Sequence, residues 1–565
     1  MTSKLCIIDT QKIEPKTQDN VINLVLDTLD KNKQVLIFNN SKRSSEATAE
    51  KIARFLKNSI NQEELKTLSN KILNSLSNPT TQCKKLSRCV QKGVAFHHSG
   101  LVTKQRYLIE DAFKKGIIKA ISSTPTLAAG LNLPAYQVII KDYKRYSQRG
   151  MRDIPILEYH QMAGRAGRPG CEKVGKSVLC LNSKTQIDEI VSKYVFGKYE
   201  EVLSKLAVEP TLKMYLLSLI AMDMINSKEE IKKFFASTFY AHQYKDIESL
   251  NYNIFRIIEL LKEYSFVVQD DDYYIATQLG KKVSELYLNP DTAYYFLENI
   301  EKFVNIFEND PNHKQIYYSL INFITNTIEM RPLFRVYKNE EEKYISKIED
   351  IADSMVIKYD PFEIDYENFM HSLKTTDILM DWIEEIPEDF LCDKYNITPG
   401  ELNYKVEVID WLLYCLEELS YIKKHVYFKN LISKLRIRFK FGIKSELIPL
   451  VNLKFIGRVR ARKLYSAGLK KMFDLKRVEF SQLSRIVGEK IAIKIKEQIA
   501  HINYNTNNEN TVLTSQRIEK PQSLGKPKEI KIREVSDDEV DKLVDTYKQF
   551  EEENKDKNMN LTDYF

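Results

Sequence analysis

The sequence predicts a multidomain α/β-plus-α protein, in which a doubly wound parallel α/β lobe is followed by largely helical modules. Short apolar runs of β type alternate with helical stretches from about Gln18 to Asn182. From about Tyr199 to Ile432 that alternation gives way to mostly helical periodicity. The 565 residues, 43% hydrophobic and 29% charged, are enough for several globular cores.

The lobe is assigned to residues 1–198. Its first strand is the apolar run QVLIFNN (Gln34 to Asn40), and the SKRSSEATAEKIARFL that follows opens on capping-type serines and turns amphipathic. GVAFHH, KAISST and YQVIIKDY read as further buried strands. Ligands of such sheets sit at the carboxyl ends of the strands, so the loops SGL, TPTLAAGLNLP and RAGRPG are expected there. Residues 199–290 form a helix–helix–wing unit, a winged-helix domain closed by the hairpin-like FVVQDDDYYIAT. Residues 291–445 read as a helical bundle. In residues 446–502, FIGRVRARKLYSAG and IVGEKIAIKI are two glycine-centred turns between short helices, a helix–hairpin–helix module. Residues 503–565 read as a disordered tail, with a capping box at Ser536-Asp-Asp-Glu539 opening one short helix.

Charge is unevenly placed. Of the net +7, the segment Tyr421–Ala500 holds 21 Lys+Arg against 5 Asp+Glu, a surplus of +16 that leaves −9 for the rest. A basic surplus confined to one module is a nucleic-acid signal, because phosphate neutralisation supplies most non-specific affinity. The seven cysteines lack C-x-x-C spacing and the eight histidines form no metal-type cluster, so free thiols and no metal site are expected. No apolar run approaches a membrane span and no signal peptide is visible at the N-terminus. A cytoplasmic, nucleoid-associated protein is the expectation.

GCEKVGKS (Gly170 to Ser177) matches the phosphate-cradling pattern G-x-x-x-x-G-K-[ST]. A working P-loop follows a strand and opens a helix, so that amides and helix N-terminus converge on phosphate. Here the run after Lys176, SVLCLN, is β-type, and the match is expected to be a turn entering the last strand. The preceding Gln161-Met-Ala-Gly-Arg-Ala-Gly-Arg168 carries Arg165 and Arg168 three residues apart, close enough to reach one anion from a helical face. Alone, that octet reads equally well as a basic surface turn.

The octet has company. AFHHSGL (Ala95 to Leu101), STPTLAAGLNLPA (Ser123 to Ala135) and YHQMAGRAGRPG (Tyr159 to Gly170) occur in this order, and together they resemble the second RecA-like lobe of superfamily-two helicases of the Ski-like branch. With ATQLGKKVSELYLNP and DWIEEIPEDFLCDKYNITPGELNYKVEVIDWLLYCLEELS downstream, the series is similar to the archaeal Holliday-junction migration helicase family (Hjm) over about Leu24 to Ile502. The resemblance implies ATP as substrate, with Arg165 and Arg168 facing the γ-phosphate in the arginine-finger role and Gln161 opening the motif. It implies that Gly130, Asn132 and Gly164 couple nucleotide to DNA, that Thr124 and His98 lie on the nucleic-acid side, and that Tyr143, Tyr146 and Met151 belong to a strand-separating hairpin. Trp411 matches a tryptophan on which a base stacks, although helical spacing alone makes it a core residue beside Leu412 and Leu413. The family's arginine two turns earlier is replaced by Tyr404, whose loss of charge either stacking or the neighbouring Lys405 would offset. Around Gly457, Arg458, Arg460, Arg462 and Lys463 read as a phosphate grip. The ending Asn558-Met-Asn-Leu-Thr-Asp-Tyr-Phe565 resembles the peptide that docks on the sliding clamp (PCNA), through Asn558, Leu561, Tyr564 and Phe565.

No DExH or DEAD tetrad occurs in the sequence. The expectation is therefore a C-terminal subunit or fragment of a 3′-to-5′ DNA helicase for fork and recombination repair, inactive alone. A separate chain bearing the first RecA-like lobe would supply the P-loop and hold most of the Mg²⁺. The alternatives are an ATP-independent DNA-binding adaptor and an RNA helicase subunit.

Overall fold

The computed structural model describes residues 12–506 apart from 57–61, 77, 129–132, 148–149, 168–173, 182, 184–185, 207, 245, 310–313, 352–354 and 358–365. The short helix expected after Ser536 and the clamp-type residues Asn558, Leu561, Tyr564 and Phe565 lie outside the described residues, as do Gly130, Asn132 and Arg168. Residues up to Asn503 form one compact unit.

The lobe is built on five parallel strands, β1 (Val35–Phe38), β2 (Val94–His97), β3 (Ala120–Ser123), β4 (Gln137–Ile140) and, after an intervening hairpin, β7 (Lys176–Leu179). They lie in the order β2-β3-β1-β4-β7. The first four strands are buried along their whole length, as continuous apolar runs between helix layers require. Ser41 caps the helix Lys42–Phe55 by accepting from the Ser44 amide at 3.1 Å, so the serines read as helix starters do that work. Between β4 and β7 stand the antiparallel pair β5 (Lys144–Ser147) and β6 (Gly150–Asp153) and the helix Ile156–Ala163.

Beyond the lobe, the helices Glu209–Ala221, Lys228–Ala236 and Ile247–Glu263 precede the antiparallel hairpin β8 (Val267–Asp270) and β9 (Tyr273–Ala276). Gly280 comes so near β8 that a Cβ there would lie 2.0 Å from the Phe266 carbonyl oxygen. One apolar core includes residues from Leu212 to Phe439, so these helices and the bundle share an interior. The bundle's central element is the helix Pro399–Ile422, packed along Val426–Phe441. Residues Ile443–Ile499 close a separate small core around Leu464, Leu475 and Ile495. There Gly488, at φ +87°, makes the turn between the helices Phe480–Val487 and Glu489–Thr506, a backbone conformation that favours glycine. Gly457 is different: its φ of −97° is open to any residue and an added Cβ would meet nothing, so the tight turn expected of it is not what the glycine provides. Among the described residues no helix is long and apolar enough to cross a membrane.

Candidate nucleotide-facing and nucleic-acid-facing sites

Lys176 opens β7, paired in parallel register with Gln137 of β4. The G-K-S triplet therefore enters a strand, as its β-type continuation implies, and its amides join a ladder instead of a phosphate nest. The arginine segment is found elsewhere than expected. After the hairpin, the helix Ile156–Ala163 carries the chain back along the sheet, so residues 164–167 meet the amino ends of β4 and β7 and not the carboxyl ends. There the Ala135 amide donates to the Arg165 carbonyl (3.0 Å) and the Gly167 amide to the Ala135 carbonyl (2.9 Å). Arg165 is itself buried and donates through Nε to the Ala128 carbonyl at 3.1 Å, with a second guanidinium nitrogen on the same oxygen. Gly164 ends the helix, exposed, and Gln161 is exposed on its last turn.

At the opposite, carboxyl end of the sheet is a cleft of about 290 Å³, lined among others by Asn40, Lys42, Ser99, Thr124, Thr126 and Arg145. Thr124 sits at its floor, its hydroxyl sharing a 2.9 Å hydrogen bond with Thr126. Thr124 thus lies at this cleft, while Ala128 and Ala135, further along the same segment, are bonded to Arg165. The residue pair expected at its centre, Gly130 and Asn132, falls outside the described residues.

His98 is corrected by burial. Its ring is fully enclosed, stacked on Phe96 at 5.5 Å, with Nε2 at 3.3 Å from Glu46 and Nδ1 accepting from the Gly100 amide. It shapes the Ser99–Gly100 turn and cannot itself reach a strand lying in the cleft. Burial raises the Glu46 carboxyl, but the hydrogen bonds from His98 and Gln82 outweigh it and hold the group below its ordinary value.

The hairpin expected at Tyr143–Pro155 is present as β5 and β6. Tyr146 pairs with Met151, one register position before the last pair Ser147–Gly150, and Met151 is 58% exposed. Tyr143 stands at the base, half-buried against Tyr194 with its hydroxyl on Gln186, and is a support of the hairpin, not its tip.

On the helix Pro399–Ile422, Tyr404 is 50% exposed while Lys405 is buried, its ammonium on the Met330 carbonyl. Lys405 therefore does not replace the missing arginine; the outward residue is Tyr404. Trp411, two turns on, is half-buried and donates its indole N–H to the Leu286 carbonyl at 3.2 Å, anchoring one edge of the ring. Burial lowers the Lys405 ammonium to about 8. Below that pH the folded protein holds a desolvated charge that the unfolded chain hydrates, and the penalty fades as pH rises from 8 towards 10.5. Lys405→Met is accordingly expected to leave DNA affinity within about twofold. Thermal melts should show the variant's Tm, relative to wild type, falling as pH rises from about 8 to about 10; a difference that does not change with pH would mean that the ammonium is solvated.

The basic surplus of residues 421–500 is partly spent inside the protein. Arg436 pairs with Glu417 at 2.8 Å and Arg438 with Glu384 at 3.0 Å. Arg458 lies over the Trp382 ring at 4.9 Å and donates to the Ile386 carbonyl, and Arg462 forks onto Glu385 at 2.6 and 2.7 Å. Both tie the small C-terminal core to the bundle, so neither is an open phosphate ligand. Arg460 is exposed, with one contact to the Phe455 carbonyl, and it remains the arginine of this turn that faces solvent.

Sequence comparison places these arrangements. Residues 17–170 match the model of the helicase conserved C-terminal domain and residues 318–442 that of archaeal helicase domain 4. Fold and sites thus define the second lobe and helical bundle of an archaeal helicase. The chain belongs to the Hel308 family of archaeal superfamily-two DNA helicases. It is 33% identical to the ATP-dependent DNA helicase Hel308 of Methanococcus vannielii, over 87% of this chain and 69% of that protein. Identity to the proteins of the same name from Pyrococcus abyssi and Methanocella arvoryzae is 38% and 35%, over 84% and 85% of this chain. The chain spans about two thirds of the length of these relatives, 65% in the last two.

Proposed function

We propose that this chain carries the arginine-bearing lobe and the DNA grip of an ATP-dependent DNA helicase that unwinds 3′ to 5′. The observation that supports this best is that one short segment carries both Thr124, which lines the cleft at the carboxyl end of the sheet, and Ala128 and Ala135, which are bonded to Arg165. A displacement of the arginines on nucleotide binding has, through this segment, a direct route to the cleft. Arg165 and Arg168 would stabilise charge developing on the transferred phosphoryl group. The binding of triphosphate and Mg²⁺ needs a lobe with a P-loop and an acidic box. Among the described residues no three His, Cys, Asp or Glu side chains converge as metal ligands.

The DNA track would run from the cleft past the Tyr146–Met151 hairpin, along Tyr404 and Trp411, to the helix–hairpin–helix turn at Gly457–Arg460. Exposed aromatics stack on bases whatever their identity, which suits a translocating motor. The helix–helix–hairpin unit of residues 199–290 reads as a winged helix, and amides at the glycine turns of residues 446–502 favour duplex DNA over RNA. Mixing the chain with a P-loop and DExH lobe from the same source is expected to give DNA-stimulated ATP hydrolysis and 3′-to-5′ unwinding. Binding of DNA without either activity would establish the adaptor reading instead, and stimulation by RNA alone would establish the RNA one.

A further inference from the structure

The lobe and the bundle meet at two glycines. The Gly400 amide donates to the Gly100 carbonyl at 2.9 Å. Gly400 is the second residue of the helix Pro399–Ile422, whose first amides have no partner within the helix, so the lobe supplies an acceptor that the helix start lacks. The approach is as close as backbones allow. A Cβ on Gly400 would lie 2.4 Å from the Ser99 carbonyl oxygen and 2.8 Å from the Gly100 carbonyl carbon, and one on Gly100 would lie 2.8 Å from the Thr398 hydroxyl.

Both sides of this contact are braced. On the lobe side, buried His98 accepts from the Gly100 amide and is held by Glu46. On the helix side, Thr398 and Glu401 form a capping box, with the Thr398 hydroxyl donating to Glu401 at 2.6 Å. A bridge closes the ring: Lys42, on the first turn of the lobe's Lys42–Phe55 helix, reaches Glu401 at 2.5 Å. Lys42 and Ser99 also line the carboxyl-end cleft, so the joint forms one of its walls.

Given the motor reading above, we propose that Ser99–Gly100 and Thr398–Glu401 form a fixed joint that makes the helix Pro399–Ile422 a lever of the lobe. Tyr404 and Trp411 lie one and three turns along that helix from the joint, so a rotation of the lobe about its nucleotide-facing edge carries both side chains with it. Gly100, Gly400 and Glu401 are then positioning residues that set how much strand movement each nucleotide cycle yields. They touch neither nucleotide nor strand.

The test is the number of base pairs opened per ATP hydrolysed, measured on the chain assembled with its P-loop lobe. Gly400→Val forces the backbones apart and is expected to keep DNA-stimulated hydrolysis within about threefold while base pairs per ATP fall about tenfold or more. The second arm holds the joint shut. Lys42→Cys with Glu401→Cys, in a background with Cys6, Cys171 and Cys180 replaced by serine, is joined by a short bismaleimide. The linked form should open as many base pairs per ATP as the same variant unlinked. Loss of unwinding on linking would mean that lobe and helix part during the cycle, and an unchanged ratio in a folded Gly400→Val would mean that the contact transmits nothing; either overturns the joint. If Gly400→Val does not fold, the linked pair decides alone. Absence of DNA-stimulated hydrolysis in the wild-type assembly would instead sink the motor reading, and the lever with it.

Discussion

Lys176→Ala is expected to leave DNA-stimulated ATP turnover within about twofold of wild type, while Arg168→Ala lowers it by about 10³-fold or more and spares DNA binding. The contrast rests on where the two residues lie relative to phosphate. A P-loop lysine works as a point charge at the end of a nest of amides. The amide of Lys176 donates to the Tyr136 carbonyl at 2.9 Å and the residue begins a strand paired with β4. No helix N-terminus follows it, and a lysine side chain without the nest is not a nucleotide site. Arg168 follows Gly167 in sequence, and the Gly167 amide is bonded to the Ala135 carbonyl at the amino end of the sheet. Steady-state turnover with the P-loop lobe present, alongside fluorescence anisotropy on a forked DNA, separates the two. A collapse of turnover in Lys176→Ala would restore the P-loop, and full activity in Arg168→Ala would remove the arginine from the reaction.

Much of this was legible in the sequence because four of the lobe's five strands are apolar runs buried on both faces. QVLIFNN, GVAFHH, KAISST, YQVIIKDY and SVLCLN each became a strand of the five-stranded sheet. The hairpin of Val267–Ala276 was signalled by its run of three aspartates, which supplies the positive φ of Asp271 at the turn. Position around the sheet was less legible. The rule that ligands gather at carboxyl ends locates the Thr124 cleft, but it misplaces Arg165, because the β5–β6 hairpin and one helix return the chain to the other end first.

Side-chain direction was the second gap. Tyr404 and Lys405 are adjacent, and spacing alone does not say which one faces out; the Met330 carbonyl, 75 residues away in sequence, decides it. The charge count likewise could not separate Arg460, which is exposed, from Arg458 and Arg462, which bind the bundle. The Gly100–Gly400 contact left no local signal at all, since each glycine sits in an ordinary turn or helix start and its reason lies in the other.

Gly175→Ala is expected to do what Lys176→Ala does not: destabilise the lobe by about 3 kcal/mol and abolish turnover along with it. Gly175 and Gly167 pack backbone to backbone. A Cβ on Gly175 would lie 2.3 Å from the Gly167 nitrogen and 2.4 Å from the Ala166 carbonyl carbon, atoms that cannot yield without moving the chain. Gly167 is itself at φ +65°, in the left-handed region, and its amide closes the bridge to Ala135. Pushing it away opens that bridge and releases the backbone of Arg165, so stability and turnover fall together. A phosphate-cradling loop would behave in the opposite way, because its glycines make room for a ligand. Gly175→Ala would then weaken nucleotide binding while the melting temperature without nucleotide stayed unchanged. Thermal unfolding in the absence of nucleotide therefore distinguishes the two roles of this glycine. A drop in Tm supports close packing against the arginine segment, and an unchanged Tm with weakened nucleotide binding would return GCEKVGKS to the nucleotide.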